Sequence, residues 1–570
     1  MLNFRIIKDP VTQQKHLETS LSGKPLLTTP QLNKGTAFSK EERDAFGLTG
    51  KLPAYIETLE EQAHRCYLQF QSYETALQKN VYLNKLHDTN QVLFYKLVQH
   101  HESEMIPILY TPTVGVAVQK FSREFQQVRG LYISYEQRYE IEKILDNRSN
   151  PDIDIIVASD GGGVLGIGDQ GVGAMLIPVA KLMVYTICGG LNPLRTLPIL
   201  LDVGTDNTEL LEDPLYLGWR HPRITSTQYD EFMDLFVAAV KKKFPQVFLH
   251  WEDFGRDNAY RILQHYQQKI CSFNDDIQGT GATALSALLA AVKSQNSELT
   301  QQRFVIFGGG TAGIGITDQI YQCLIAQGVS PEAARRQFWI VDRAGLLIDD
   351  MQDLTPGQKP YARPAAEVAQ WRTQQHAAIN LLQLVENIKP TILIGCSSQP
   401  GAFTEAVVTT MAKHVERPII LPISNPTERA EATPQQLIDW TQGQAMIATG
   451  SPFPPVFFNG KQQRVAQCNN ALVFPGIGIG VIAVKATQVT DNMLWAACVS
   501  LNKCAPIHTD PTAPLLPAME SARKSAREIA IAVAEQARLD GVAGIPATAD
   551  IAGCVDEQIW QPEYLPFRQI

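Results

Sequence analysis

Three acidic clusters follow apolar runs in this sequence: Asp202 and Asp206 in LDVGTDN, Glu252-Asp253 in HWEDFG, and Asp275-Asp276 in SFNDDIQGT. Carboxylates at the ends of buried strands are costly unless they are paired or bind a cation. Their hard oxygens suit Mg2+ or Mn2+ rather than zinc, so Glu252 and Asp253, with one acid of the later pair, make a candidate octahedral metal site. Helix caps or ion pairs are the ordinary alternative for any one of these pairs. Lys181 sits in an otherwise apolar stretch, where desolvation lowers a lysine's pKa and makes it a base near neutrality. Tyr110, in ILYTPTVG, could donate a proton. On residue physics alone, a salt-bridged structural lysine and a core tyrosine remain the commoner readings. A fourth feature is Gly308-x-Gly310-x-x-Gly313, in the run GGGTAG that includes Thr311 and Ala312. These glycines allow a tight turn, close approach of backbone to pyrophosphate, and close helix–strand packing. Asp342 ends the next apolar run, where an acid accepts from ribose hydroxyls and favours NAD over NADP. Arg343 beside it argues the other way.

The elements that must position these residues are legible. Ile153–Ala158, Leu197–Val203, Val247–Trp251, Phe304–Phe307, Phe338–Val341, Thr391–Ile394 and Pro418–Pro422 read as strands, each followed by glycine, acid or turn residues. Apolar spacing of three and four predicts helix over Pro53–Lys79 and Val92–Met105, after the glycine loop to about Gln327, and over Ser521–Ala537. Alternating strand and helix implies a mostly parallel sheet covered on both faces. The expected fold class is multidomain α/β: a Rossmann-type NAD-binding domain, a substrate and metal α/β domain, and a helical N-terminal region. The chain has 570 residues, 45% of them hydrophobic and 19% charged, enough for several cores. Its net charge of −9 gives no global footprint for nucleic acid or an anionic membrane. The nine cysteines are scattered with no C-x-x-C pair, which fits a reducing, cytoplasmic setting. No uninterrupted apolar run approaches the ~20 residues that span a bilayer, and the start lacks a signal peptide.

With these residues in view, the chain resembles the malic enzymes, including the NAD-dependent bacterial ones, over essentially its whole length. The resemblance is carried by LNKGTAFS (Leu32–Ser39), YTPTVG (Tyr110–Gly115), LDVGTDN (Leu201–Asn207), DPLYLGWRHPRI (Asp213–Ile224), WEDFG (Trp251–Gly255) and FNDDIQGT (Phe273–Thr280). GGGTAG (Gly308–Gly313), VDRAGLL (Val341–Leu347), SNPT (Ser424–Thr427) and QCNNALVFPGIG (Gln467–Gly478) continue it. It implies decarboxylation of L-malate with NAD and Mn2+ or Mg2+. By resemblance, Lys181 is the general base on the 2-hydroxyl and Tyr110 protonates C3. Glu252, Asp253 and Asp276 hold the metal, and Asp275 orients the lysine and the metal shell. Asn425, Asn469 and Asn470 contact substrate or nicotinamide. A homodimer or homotetramer is implied.

The family loop after the first of these strands usually reads close to D-G-E-R-I-L-G, and here it is Asp160-Gly161-Gly162-Gly163-Val164-Leu165-Gly166. Gly163 replaces the arginine that would clamp the substrate carboxylate. The related malolactic enzymes also carry glycine there. The expected reaction is oxidative, to pyruvate, CO2 and NADH, with conversion to L-lactate by tightly held NAD as the alternative. The expected organisation is a helical region over 1–129, a malate and metal domain from 130–276 and 470–540, an NAD domain over 277–469, and an extension over 541–570. The active site is expected where strand ends and the glycine loop meet.

Overall fold

Short local signals decide where the elements begin and end. The stretch Pro53–Lys79 is not one helix. Capping boxes at Thr58/Glu61 and Thr75/Gln78 start two separate helices, Leu59–Gln71 and Ala76–His87. Likewise Gln91–His100 and Glu102–Leu109 are divided at His101, whose φ of −135° and ψ of 39° leave the helical region. In this computed structural model the described residues are 4–10, 12, 14–164, 166–371 and 378–570; Leu165 of the glycine-rich loop lies outside them.

By packing, the chain divides into two units. The first comprises Met1–Ser159, Gln170–Val247 and Glu557–Ile570. It holds those four helices and three parallel strands, Leu131–Ser134, Thr196–Asp202 and Ile155–Ser159, with Thr196–Asp202 in the middle. A separate sheet joins Phe4–Lys8, Lys15–Thr19 and Phe567–Gln569. Among the described residues one stretch, Gly171–Gly189, is long and apolar enough by composition to cross a bilayer, a length the sequence reading did not credit. It is buried, and Lys181 lies in its middle.

The second unit comprises Asp160–Asp169 and Phe248–Asp556. Its main sheet runs in the spatial order Gly345–Leu346, Phe338–Asp342, Phe304–Phe307, Ile392–Gly395, Ile419–Pro422, Met446–Thr449, Ala466–Gln467. All neighbours are parallel except the short first strand. Phe307 is in register with Val341 on one side and with Gly395 on the other, and Gly395 with Pro422. The chain therefore leaves the sheet at one edge through four loops, beginning at Gly308, Arg343, Cys396 and Ile423. Strand order reverses at Phe304–Phe307, and in open parallel sheets ligands bind outside the carboxyl ends at such a switch point. A further parallel pair, Phe248–Trp251 with Ser272–Asn274, leads into the acidic turns. Glycines let these parts approach closely. A Cβ on Gly315 would lie 2.6 Å from the Ile277 carbonyl oxygen, so the helix after the glycine loop packs directly against the turn that carries Asp275 and Asp276. Gly476 and Gly480 do the same for helix Phe474–Ala483 against Ala522–Leu539, each with backbone or Ile529 atoms 2.6 Å from a would-be Cβ.

Candidate active site

In the first unit, helix Leu176–Val184 is buried along its whole length, and Lys181 is only 1% exposed. Its Nζ donates to the Tyr110 hydroxyl at 2.6 Å and stands 5.0 Å from that ring's centroid. Tyr110 is placed by the end of helix Glu102–Leu109, where its N–H donates to the Ile106 carbonyl at 2.8 Å. Lys181 and Tyr110, which the family resemblance pairs as proton carriers, are thus neighbours in this unit.

In the second unit, Glu252 and Asp253 leave strand Phe248–Trp251, and Asp275 and Asp276 open a helical turn capped by Asn274, whose side chain accepts from the Ile277 N–H at 2.9 Å. All four acids are buried. One ligand oxygen each from Glu252, Asp253 and Asp276 falls within 4.8 Å of the others. Octahedral coordination at about 2.1 Å puts ligand atoms about 3 to 4.2 Å apart, so the set fits a hard divalent cation. The Asp253 backbone N–H donates to Asp276 Oδ2 at 2.8 Å, and Asp253 adopts a left-handed φ of 54°. Such backbone strain in a non-glycine residue persists only where its surroundings enforce it. Asp275 accepts from Asn470 Nδ2 at 2.9 Å, and the same nitrogen lies 3.0 Å from Thr280 Oγ1. Asn425 Oδ1 accepts from Ser451 Oγ at 2.5 Å and Asn469 Oδ1 from the Ala471 N–H at 2.9 Å, so among the described residues Asn425 and Asn469 are engaged through their carbonyl ends and Asn470 through its NH2 group. Asp202 and Asp206 take structural roles, accepting from the backbone N–H groups of Trp219 and Arg223. Burial raises the Asp202 carboxyl above its usual range.

The glycine loop has the steric profile of a dinucleotide cradle. Gly308, at φ +115°, would place a Cβ 2.5 Å from the Cys396 carbonyl, and Gly313 would place one 1.9 Å from the Gly308 carbonyl. At Gly310 a Cβ would meet nothing within 4 Å, which leaves an open approach to the half-buried start of helix Thr311–Ala326, with Thr311 and Ala312. Free N–H groups at that helix start suit a phosphate. Asp342 ends its strand as expected, and Arg343 is exposed.

Sequence reasoning missed several supporting residues. His250 is fully buried, with Nε2 2.7 Å from Glu252 Oε2; it lies two positions before Glu252, a spacing that puts both on one face of a strand. Glu431, also fully buried, accepts from Ser397 N and Oγ, both at 2.8 Å, and from Ser424 Oγ at 2.6 Å, so one carboxylate ties two of the sheet-edge loops together. At Gly163 a Cβ would lie 2.7 Å from the Phe254 carbonyl oxygen, and its N–H donates to the Asp253 carbonyl at 3.1 Å. The missing arginine is therefore more than a truncated side chain, because the loop backbone itself packs on the acidic turn.

Comparison with known proteins bears on the family. The profile described as "Malic enzyme, N-terminal domain" matches residues 87–267, and "Malic enzyme, NAD binding domain" matches 277–538. A protein named NAD-dependent malic enzyme from Shewanella sp. (strain MR-4) is 47% identical over 98% of this chain and 99% of its own. One of the same name from Salmonella agona (strain SL483) is 47% identical over 96% of this chain and 97% of its own. Among solved structures, the malic enzyme of Entamoeba histolytica superposes with a TM-score of 0.55 at 20% identity, covering 90% of this chain and 91% of that one. That likeness concerns the fold. Two matching domain profiles and near-half identity across almost the entire chain place it in one family: it is a malic enzyme family member.

Proposed function

We propose that this protein is an NAD- and divalent-metal-dependent malic enzyme that converts L-malate to pyruvate, CO2 and NADH. The observation that carries the reading is the 47% identity over 98% of the chain to a relative named NAD-dependent malic enzyme. The malolactic alternative raised by Gly163 is not favoured by it. When bound, the cation supplies Lewis-acid polarisation of a substrate oxygen and NAD supplies a hydride acceptor. Glu252, Asp253 and Asp276 are proposed to hold the cation, with Asp275 steadying the metal-binding turn through its bond to Asn470. Gly308, Gly310, Thr311, Ala312, Gly313 and Asp342 are proposed to hold NAD.

Lys181 takes the proton from the C2 hydroxyl of malate, as a desolvated lysine is suited to do. Tyr110 returns a proton to C3 after CO2 has left. Because its oxygen accepts from Lys181, the contact does not consume the phenol's own proton. Asn425 and Asn469 offer NH2 donors to a carboxylate, and Asn470 offers its carbonyl to the nicotinamide amide. A homodimer or homotetramer is part of this reading, resting on the family resemblance. Cysteine usage supports a cytoplasmic setting.

The test is one reaction with L-malate, Mn2+ and NAD+, with pyruvate and lactate assayed at its end. Equal NADH and pyruvate, abolished by EDTA, is the expected result. Lactate with no accumulating NADH would overturn it.

A further inference from the structure

Asp342 does not stand alone at the end of its strand. Its Oδ2 accepts from Gln358 Nε2 at 2.8 Å and from Arg256 Nη2 at 3.2 Å, and both donors also reach the Gly309 carbonyl, at 2.9 and 3.2 Å. Gln358 is buried, and its orientation is fixed because its Oε1 accepts from the Thr355 N–H at 3.0 Å, so the NH2 end must face the acid. A Cβ on Gly309 would lie 3.1 Å from Gln358 Nε2 and 3.2 Å from Asp342 Oδ2, so acid and amide sit directly over the glycine loop. Arg256 differs from Gln358 in two ways. Its side chain is 40% exposed, and it brings a full positive charge. Among the described residues only its Nη2 is engaged, of five N–H donors.

Resting on the NAD-dependent reading above, we propose that Arg256 sets this chain's cofactor selectivity: it neutralises Asp342 and gives a 2′-phosphate on the adenosine ribose a cation to pair with. A lone carboxylate at a strand end accepts from the ribose diol and repels a phosphate. Among the described residues the donors to this acid meet only Oδ2, which leaves Oδ1 for a diol, while its charge is balanced by a guanidinium at contact distance. A planar, always-charged group with spare donors is the side chain best matched to a phosphate. Gln358 holds Asp342 in place without Arg256, so the arginine contributes charge and the glutamine contributes position. On this proposal the NAD site also admits a 2′-phosphorylated dinucleotide.

The test measures binding alone. NADH and NADPH are titrated onto the full-length protein, without malate, and followed by nicotinamide fluorescence. The wild type should bind NADPH within about tenfold of NADH. Arg256→Gln should weaken NADPH at least about tenfold more than NADH, and Arg256→Lys should retain most of the NADPH affinity. NADPH binding by the wild type should fall more steeply with added KCl than that of Arg256→Gln. Arg256→Gln weakening both dinucleotides equally would reduce the arginine to a structural clamp and overturn the proposal. So would a wild type that binds NADH but discriminates against NADPH by more than about a hundredfold. If the wild type binds neither dinucleotide, the NAD-dependent reading itself falls, and this proposal with it.

Discussion

Each unit sets a buried tyrosine against a titratable side chain at the same 2.6 Å separation, and the two pairs work in opposite directions. In the first, Lys181 donates to Tyr110; in the second, Tyr361 donates to Asp318. Tyr361 uses its only proton on the acid, and burial with the neighbouring carboxylate pushes its phenol far above the usual range. Asp318 is itself pushed up to about 6, first by desolvation, although the bond from Tyr361 works the other way. Tyr110, as the acceptor, spends no proton on its contact with Lys181. An identical distance therefore does not mark a catalytic pair. The polarity of the bond separates a tyrosine that spends its proton on its partner from one that does not.

The largest effect should separate the two tyrosines kinetically. Lys181→Ala and Tyr110→Phe should each lower kcat by about 10²- to 10⁴-fold, read as NADH release from malate, while Tyr361→Phe stays within about threefold of wild type. Equal losses at both tyrosines would break the comparison. The second effect is a pH dependence. Because the folded pKa of Asp318 is raised, its contribution to stability is full below the unfolded value near 3.8 and is lost as pH rises through about 6. Asp318→Asn removes that dependence. Relative to wild type it should gain stability between pH 4 and pH 7, by at most about 3 kcal/mol, seen as a melting-temperature difference that widens with pH. A pH-independent difference would show that Asp318 is not held in this way. The smallest effect is Tyr361→Phe on stability, a loss of about 1–3 kcal/mol from leaving the acid without its donor. It should be larger at pH 7.5, where Asp318 is charged, than at pH 4.5, and melting curves at the two values would check it.

Where an apolar run meets a glycine, the sequence suffices. Phe304–Phe307 begins and ends where the residues say, because a four-residue apolar run followed by Gly308 has no other way to lie in a parallel sheet. The acidic turns and Lys181 stand out because charge in an apolar context is conspicuous, but a role for Lys181 as a base, over a structural one, came only from the family resemblance. The helix division at Thr58 and Thr75 was present in the sequence as capping boxes and was outweighed by apolar spacing. Residues that act by reaching far along the chain were not legible. Arg256 meets Asp342 and Gln358 meets Gly309 only because strand order brings the loops to one sheet edge, and nothing local in either residue announces it. Glu431 is of the same kind.

Gly163 bears on what sequences this protein can reach. Its missing Cβ is occupied, in effect, by the Phe254 carbonyl, on the turn that carries Asp253. A single codon change that restored arginine would drive a side chain into that carbonyl, and overpacking of this kind costs about 1–3 kcal/mol or more. A side chain at position 163 therefore requires the turn at Phe254 and Gly255 to shift with it, so the residue at 163 and the backbone of that turn are not independent.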